Sequence, residues 1–200
     1  MNRTDFEIEI CANSVESCIE AQKGGANRVE LCMGIPEGGT TPSYGEIKMA
    51  REVLKETRLH VIIRNRGGDF LYTKQELQRM AMDIDLCRDL GVDGVVFGCL
   101  TPEGDIDLAA NEYLMSHTKG MSVTFHRAFD HCREPEKALE QLIALGFERV
   151  LTSGQQPTAE EGIPLLQRLN QLANGRIKIM AGCGVNEKNI ARIRQETAVS

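Results

Sequence analysis

The sequence has no tryptophan, few aromatic residues and no long apolar run. Aromatic residues make up 4% of its 200 residues, which leaves few platforms for stacking on bases or sugars. No stretch approaches the roughly 18 uninterrupted apolar residues that a membrane helix needs. Residues 1–7 lack the apolar segment of a secretory signal. These absences argue against a membrane protein, a secreted protein and a binder that works by stacking.

Charge and cysteine spacing exclude further classes. The net charge is −6 and the pI is 5.3, whereas nucleic-acid-binding domains usually have a pI above about 9. The seven cysteines are odd in number and none forms a C-x-x-C pair, which is typical of reduced cytosolic thiols rather than of a disulfide framework or a zinc knuckle. We therefore expect an acidic, globular, cytoplasmic protein that binds neither nucleic acid nor a membrane.

Short β-branched runs alternate with longer amphipathic stretches along the whole chain. The spacing between successive strand starts is close to the roughly 30 residues of a strand–helix–strand unit. This alternation predicts a parallel sheet with helical crossovers. The predicted strands are Glu7–Ile10, Arg28–Leu31, Leu59–Ile63, Gly94–Phe97, Ser122–Phe125, Arg149–Leu151 and Lys178–Met180. The predicted helices are 15–24, 44–56, 74–90, 107–119, 135–145, 160–173 and 186–196.

Local signals support these boundaries. Gly25, Gly91 and Gly146 each begin the same pattern, which ends in a valine four positions later and suits the end of a helix followed by a strand. Thr73 to Glu76 has the form of a capping box, and Pro135 suits a first helical position. No linker or change of composition divides the chain, which predicts a single domain over residues 1–200.

Seven such units favour an α/β fold of the TIM-type (β/α) barrel class. The first turn between strand and helix, Cys11-Ala12-Asn13-Ser14, has no glycine, so the dinucleotide fingerprint of a doubly wound sheet is missing. The last predicted helix runs to the end of the sequence and leaves no residues for an eighth strand. We expect either a chain shortened at its C-terminus or a barrel that stays open between its first and seventh strands.

Polar residues gather where the predicted strands end, which is where (β/α) barrels carry their chemistry. Since alternate residues of a strand face opposite sides, Glu9 and Cys11, Glu30 and Cys32, and His126 are expected on the inner face. Two glutamates on adjacent strands about 5 Å apart require a compensating cation, for which Arg64, Arg66 or a metal ion is available. They predict a general acid/base pair or, alternatively, a buried structural ion-pair network.

Three further features are compatible with ligand binding. His126 suits proton transfer or metal ligation, unless it is an ordinary core histidine. Arg64 and Arg66, followed by Gly67-Gly68-Asp69, form a candidate site for a carboxylate or phosphate, unless the arginines are paired within the protein. Gly182-Cys183-Gly184 is a weaker candidate for a phosphate-binding loop. Nothing suggests a nucleotide, a flavin or haem.

Cys11 and Cys32 are the candidate metal ligands. Both lie at the ends of adjacent strands on the inner face, and two thiolates suit a soft ion, above all Cu(I). Zinc requires four ligands, which only Cys99, Cys132, Cys183 or His126 are available to complete. Two ordinary buried cysteines are the alternative.

Several motifs together resemble the CutC family. The resemblance runs from the first strand through the seventh and depends on residues 12–17, 24–32, 37–45, 64–70, 124–130 and 149–155. It implies a cytoplasmic TIM barrel connected with copper homeostasis, a homo-oligomer such as a dimer or tetramer, and Cu(I) ligands at Cys11 and Cys32. Family members usually have proline where Asn65 stands, and they continue into an eighth strand rich in histidine and serine.

Two cysteines explain metal binding but leave the other polar residues unexplained, so a second hypothesis stays open. It is a TIM-barrel enzyme of unassigned reaction that acts on a small anionic metabolite, a phosphate or a carboxylate. Its acid/base candidates are Glu30, His126 and Glu9, and its substrate-binding candidates are Arg64, Arg66, Asp69, Asp130 and Ser153. A scaffold or interaction protein is a third possibility, against which the buried charge argues.

Overall fold

The computed structural model describes residues 6–199, in which seven strands alternate with seven α-helices. The strands are β1 (Glu9–Ala12), β2 (Arg28–Leu31), β3 (Arg58–Ile62), β4 (Gly94–Phe97), β5 (Ser122–Phe125), β6 (Arg149–Thr152) and β7 (Lys178–Ala181). The helices are α1 (Val15–Lys23), α2 (Tyr44–Val53), α3 (Lys74–Asp89), α4 (Leu108–Thr118), α5 (Pro135–Leu145), α6 (Ile163–Ala173) and α7 (Ile190–Thr197). Two short 3₁₀ helices cover Ile35–Glu37 and Arg127–His131.

All seven predicted strands and helices are present, with boundaries that differ by a few residues. The largest differences are at the starts of α6 and α7, which begin three and four residues later than expected, and at the end of α2, which ends three residues earlier. Pro164 stands in the first turn of α6, and the Asn186 backbone N–H donates to the Asn189 side chain in a turn before α7. The 3₁₀ helices have no periodic pattern because they are shorter than two turns, and the sequence analysis missed them.

The predicted capping signals are confirmed. Thr73 and Glu76 form a complete capping box at the start of α3, and Pro135 begins α5. Gly25, Gly91 and Gly146 all have positive φ, between 71° and 86°. Only glycine adopts that conformation without a steric cost. This explains why a glycine stands at the equivalent position after three of the helices.

The chain forms two compact units. The first contains residues 6–97 and 113–123, and the second contains residues 98–112 and 124–199. In the first unit β1 pairs with β2, β2 with β3, and β3 with β4, all in parallel. In the second unit β5 pairs with β6 and β6 with β7, again in parallel. Residues 1–5 and 200 lie outside the described residues, and one domain over residues 1–200 stays a prediction.

Strand β2 is buried on both faces, as strands of parallel sheets usually are. Val29 and Leu31 are fully buried on one face, while Arg28 and Glu30 are 1% and 7% exposed on the other. The second face therefore carries charged groups away from water, which is costly unless they are paired or functional.

Among the described residues, no helix has both the length and the apolar character that crossing a membrane requires.

Candidate functional site

The two candidate metal ligands touch. Cys11 lies in β1, and Cys32 follows β2, where its backbone N–H donates to the Ala12 carbonyl and extends the parallel ladder. Their sulfur atoms are 3.1 Å apart. Cys11 is exposed to solvent, whereas Cys32 is only 2% exposed. The sheet thus holds two thiols on one face, one accessible and one covered.

The contact changes the acidity of both thiols. The hydrogen bond from Cys32 lowers the pKa of Cys11 to about 7, against the opposing effects of burial and of the Glu9 carboxylate. The same hydrogen bond, together with burial, raises the pKa of Cys32 above its usual range. Because the two groups interact strongly, they titrate as a pair. The pair therefore loses its first proton near neutral pH, and the neutral Cys32 thiol stabilises the Cys11 thiolate that forms.

Glu30 is a buried carboxyl beside these thiols. Its Cα is the register partner of the Cys11 Cα, so the two side chains share a face. Burial raises the pKa of Glu30 well above its usual range, and the negative charges of Glu9 and Cys11 add to that effect, while Arg28 opposes it. Glu30 therefore keeps its proton more readily than an ordinary glutamate.

Arg28 provides the cation that Glu9 needs, and its charge also opposes the rise in the pKa of Glu30. It is 1% exposed, and its Nε donates to the Glu9 carboxylate, while its Nη1 lies 3.0 Å from a carboxylate oxygen of Glu7. Arg64, Arg66 or a metal ion was the predicted cation, and the structure shows Arg28 in that place. The signal was present, because Arg28 lies two residues before Glu30 and alternate strand residues share a face.

Arg64 is 4% exposed and directs its guanidinium at backbone oxygens. Its Nη1 donates to the carbonyls of Glu37, at 2.7 Å, and Gly39, at 3.0 Å. Its Nη2 donates to the Gly68 carbonyl at 2.7 Å, and the group lies 4.9 Å from the centre of the Phe70 ring. These donors hold two loops together, which supports the alternative of an arginine paired within the protein.

Arg66 and Asp69 are paired with each other. Arg66 Nη2 lies 2.9 Å from Asp69, and its Nε lies 2.6 Å from Glu76, the capping residue of α3. The hydrogen bond from Arg66 holds the pKa of Asp69 below its usual range, as does the Leu71 backbone N–H. These contacts shape the loop before α3 and use the donors that an anionic ligand would need.

Gly39 links the Arg64 loop to the thiols, and the sequence analysis missed it. A methyl group on Gly39 would lie 3.6 Å from Cys32 Cβ and 4.0 Å from its sulfur, and the residue has φ of +93°. Arg64, by holding the Gly39 carbonyl, thus fixes the loop that covers Cys32. The Gly38-Gly39 pair in the sequence was the available signal.

The remaining candidates, His126, Asp130 and Ser153, belong to the second unit. His126 is 5% exposed, and its Nδ1 accepts from the Ala128 backbone N–H at 3.3 Å, so in the neutral ring the proton sits on Nε2. Asp130 accepts from the Ser153 backbone N–H and hydroxyl, both at 3.0 Å, and from Arg127 Nε at 2.8 Å. The structure therefore brings Asp130 and Ser153 together as partners of each other.

The described residues do not assemble a zinc site. Among residues 6–199, no three or more histidine, cysteine or acidic side chains are grouped closely enough to hold a metal ion. Cys99 and Cys132 are buried singly, and the Cys183 thiol donates to the Pro157 carbonyl at 3.2 Å. Cys11 and Cys32 together offer a metal ion two sulfur ligands, whereas a structural zinc site usually has four ligands.

Comparison with known proteins gives a consistent result. The CutC family model matches residues 6–200. A protein named CutC from Bacteroides fragilis is 67% identical over 195 residues, which cover 98% of this chain and 78% of that relative. The crystal structure of a candidate copper homeostasis protein, CutC from Streptococcus agalactiae, is 41% identical with a TM-score of 0.92, and the match covers 96% of this chain and 94% of that one.

A more distant structure shares the fold alone. QR15, an aldolase, is 15% identical with a TM-score of 0.75, and the match covers 98% of this chain and 89% of that one. Together with the family match, this likeness confirms the predicted α/β fold of the (β/α)-barrel class.

Proposed function

This chain belongs to the CutC family, and from that premise we propose that it is a cytoplasmic copper homeostasis protein that binds Cu(I) through Cys11 and Cys32. The observation that supports the proposal is the contact of 3.1 Å between the two sulfurs. Thiolates are the ligands that Cu(I) prefers among protein side chains. Copper is the cargo here, so the site must both take it up and release it.

The acidity of the pair suits this cargo. A metal ion binds the thiolate form, and binding releases the thiol protons. Cys11, with its pKa of about 7, supplies a thiolate at neutral pH and is accessible from solvent. Cys32 is covered and gives up its proton when the ion arrives. Two ligands satisfy Cu(I) but leave zinc short of the four it usually takes in structural sites.

The cytoplasmic location has independent support in the cysteines. All seven are free thiols in the structure, including a pair in contact. Such thiols persist in a reducing compartment, which is also where copper is held as Cu(I).

The homo-oligomer implied by the family resemblance is a further part of this proposal, and light scattering on the purified protein measures its oligomeric state.

The test is an anaerobic Cu(I) titration against a competing chelator. We expect one equivalent of Cu(I) in the wild type. Either Cys11→Ser or Cys32→Ser should weaken binding by more than the roughly 10–100-fold that loss of an outer-shell partner costs. Matched controls are Cys183→Ser, for the exposed thiol, and Cys18→Ser, for the buried one. Equal binding in the pair variants and the controls would refute the copper site.

The buried carboxyl of Glu30 supports a second candidate, an enzyme that uses acid/base chemistry on a small anionic metabolite. Glu30 as proton donor and the Cys11 thiolate as proton acceptor lie side by side in register on β1 and β2. Buried titratable groups of this kind are typical of catalytic sites. Glu9 and His126 remain acid/base candidates, but the internal pairing of Arg64, Arg66 and Asp69 weakens their case as anchors for the anion.

A thermal-shift screen of phosphorylated and carboxylated metabolites tests this candidate. A ligand present at 100-fold over its Kd stabilises the folded protein by about 2.7 kcal/mol. We expect Glu30→Gln to reduce that stabilisation and the exposed control Glu52→Gln to preserve it. If every compound leaves the wild type unchanged, or if the two variants respond alike, the enzyme candidate is rejected.

A further inference from the structure

The Cys11 and Cys32 sulfurs are in direct contact without being bonded. The two atoms are 3.1 Å apart, whereas a disulfide bond is about 2.05 Å long. Forming the bond thus requires the sulfurs to approach each other by about 1 Å. Among the cysteines of residues 6–199, no other thiol–thiol contact is found.

The two thiols differ in access. Cys11 is exposed, while Cys32 is 2% exposed and lies under the loop that contains Gly39. Arg64 holds this loop through the Gly39 carbonyl. An external reagent therefore reaches Cys11 first. Cys32 then reacts with the modified Cys11 sulfur rather than with the reagent itself. This is the arrangement of an attacking thiol and a resolving thiol.

We propose that Cys11 and Cys32 form a reversible dithiol–disulfide couple, oxidised by a low-molecular-weight disulfide. The Cys11 thiolate attacks one sulfur of that disulfide, which forms a mixed disulfide and releases one thiol. The Cys32 thiolate then attacks the Cys11 sulfur, which forms the Cys11–Cys32 bond and releases the second thiol. The two protons of the protein dithiol end on the two released thiols. The protein loses two electrons, and the reagent gains them.

This couple goes beyond copper binding and does not depend on it, because the exchange needs no metal ion. The two states exclude each other, however. A disulfide sulfur carries no thiolate to hold Cu(I), so oxidation closes the metal site and reduction reopens it. The couple thus makes the proposed copper site responsive to the thiol redox balance around it.

The experiment uses metal-free protein, so its outcome is separate from that of the copper titration. The background variant is Cys183→Ser, which removes the other exposed thiol. After equilibration with mixtures of reduced and oxidised glutathione, acid quenching and intact-mass measurement should show loss of two hydrogens and two fewer alkylatable thiols. Treatment with dithiothreitol should restore both values.

Two variants in the same background test the order of attack. Cys32→Ser should retain one glutathione on Cys11, because the resolving thiol is gone. Cys11→Ser should gain neither an adduct nor a disulfide, because Cys32 is covered. Circular dichroism checks that each variant is folded. Protein that stays fully reduced in excess oxidised glutathione, or that keeps a stable adduct on Cys11 while Cys32 is intact, would overturn the proposal.

Discussion

Cys11 and Glu30 face each other across two adjacent parallel strands, as Cα register partners in β1 and β2. The pKa of Cys11 is lowered to about 7 by the hydrogen bond from Cys32, while the pKa of Glu30 is raised by burial and by the charges of Glu9 and Cys11. The thiol thus ionises more easily and the carboxyl less easily than usual. Of these two groups, the negative charge is therefore favoured on the exposed Cys11 sulfur, which a metal ion or an electrophile can reach from solvent.

The alkylation rate of Cys11 should depend on pH with a midpoint near 7. The thiolate is the reactive form, and the pKa of Cys11 is lowered from 9.0 to about 7. The measurement is the rate of iodoacetamide reaction in a Cys183→Ser background, read by peptide mass. Cys32→Ala removes the hydrogen-bond donor and should move the midpoint upward. A wild-type midpoint near 9 would contradict the contact between the sulfurs.

Glu30 should make the protein less stable as the pH rises. A carboxyl whose pKa is raised in the folded state binds more protons there than in the unfolded chain. Its contribution to the free energy of unfolding is therefore full below about 4.5, the ordinary pKa, and is lost as the pH rises through the folded value. Urea unfolding at several pH values should show that Glu30→Gln gains stability relative to the wild type between acidic and neutral pH. Glu52→Gln, at an exposed position, controls for the loss of one charge, and an identical trend in both variants would be contrary to this account.

Asp130→Ala should destabilise the protein by about 2–4 kcal/mol, since buried groups lose a charged acceptor. The Asp130 side chain is 6% exposed and accepts hydrogen bonds from the Thr152 hydroxyl and the Ser153 and Gln155 backbone N–H groups. The control is Asp105→Ala, which removes a partly exposed ion pair with Arg133 of the kind that contributes about 0–1 kcal/mol. Chemical unfolding measures both, and equal losses would show that Asp130 is not the organising group of this loop.

Arg64→Lys should destabilise the protein by about 1–3 kcal/mol and increase the alkylation of Cys32. A lysine lacks the planar fork that matches several acceptors, so it leaves some of the Glu37, Gly39 and Gly68 carbonyls without their donor. The loop over Cys32 then opens more often. Unfolding curves and Cys32 alkylation are compared with those of Arg79→Lys, at an exposed position on α3. Unchanged stability combined with lost binding of an anion would instead favour a role for Arg64 as substrate anchor.

The order of strands and helices was predictable because its signals are local. Val29 and Leu31 alternate with Arg28 and Glu30 in β2, and that period of two is visible in any window of the sequence. Thr73 and Glu76 mark the start of α3 through a bond that spans three residues. Alternation along adjacent strands was also enough to predict that Cys11 and Cys32 share a face, as their contact shows.

The partners of the long charged side chains were beyond the sequence, and the tertiary structure decided them. Arg64 and Arg66 have the composition of an anion site, yet Arg64 bonds carbonyls of a loop 25 and 27 residues away, and Arg66 bonds Glu76 in the next helix. Carbonyl oxygens are present at every residue and leave no mark in the residue pattern. The sequence by itself therefore determined the strand–helix alternation and the thiol pair, because both follow from backbone periodicity. Only the folded chain determined that Arg28 neutralises Glu9 and that Arg64 holds the loop over Cys32 through the Gly39 carbonyl, because those bonds depend on which loops meet in space.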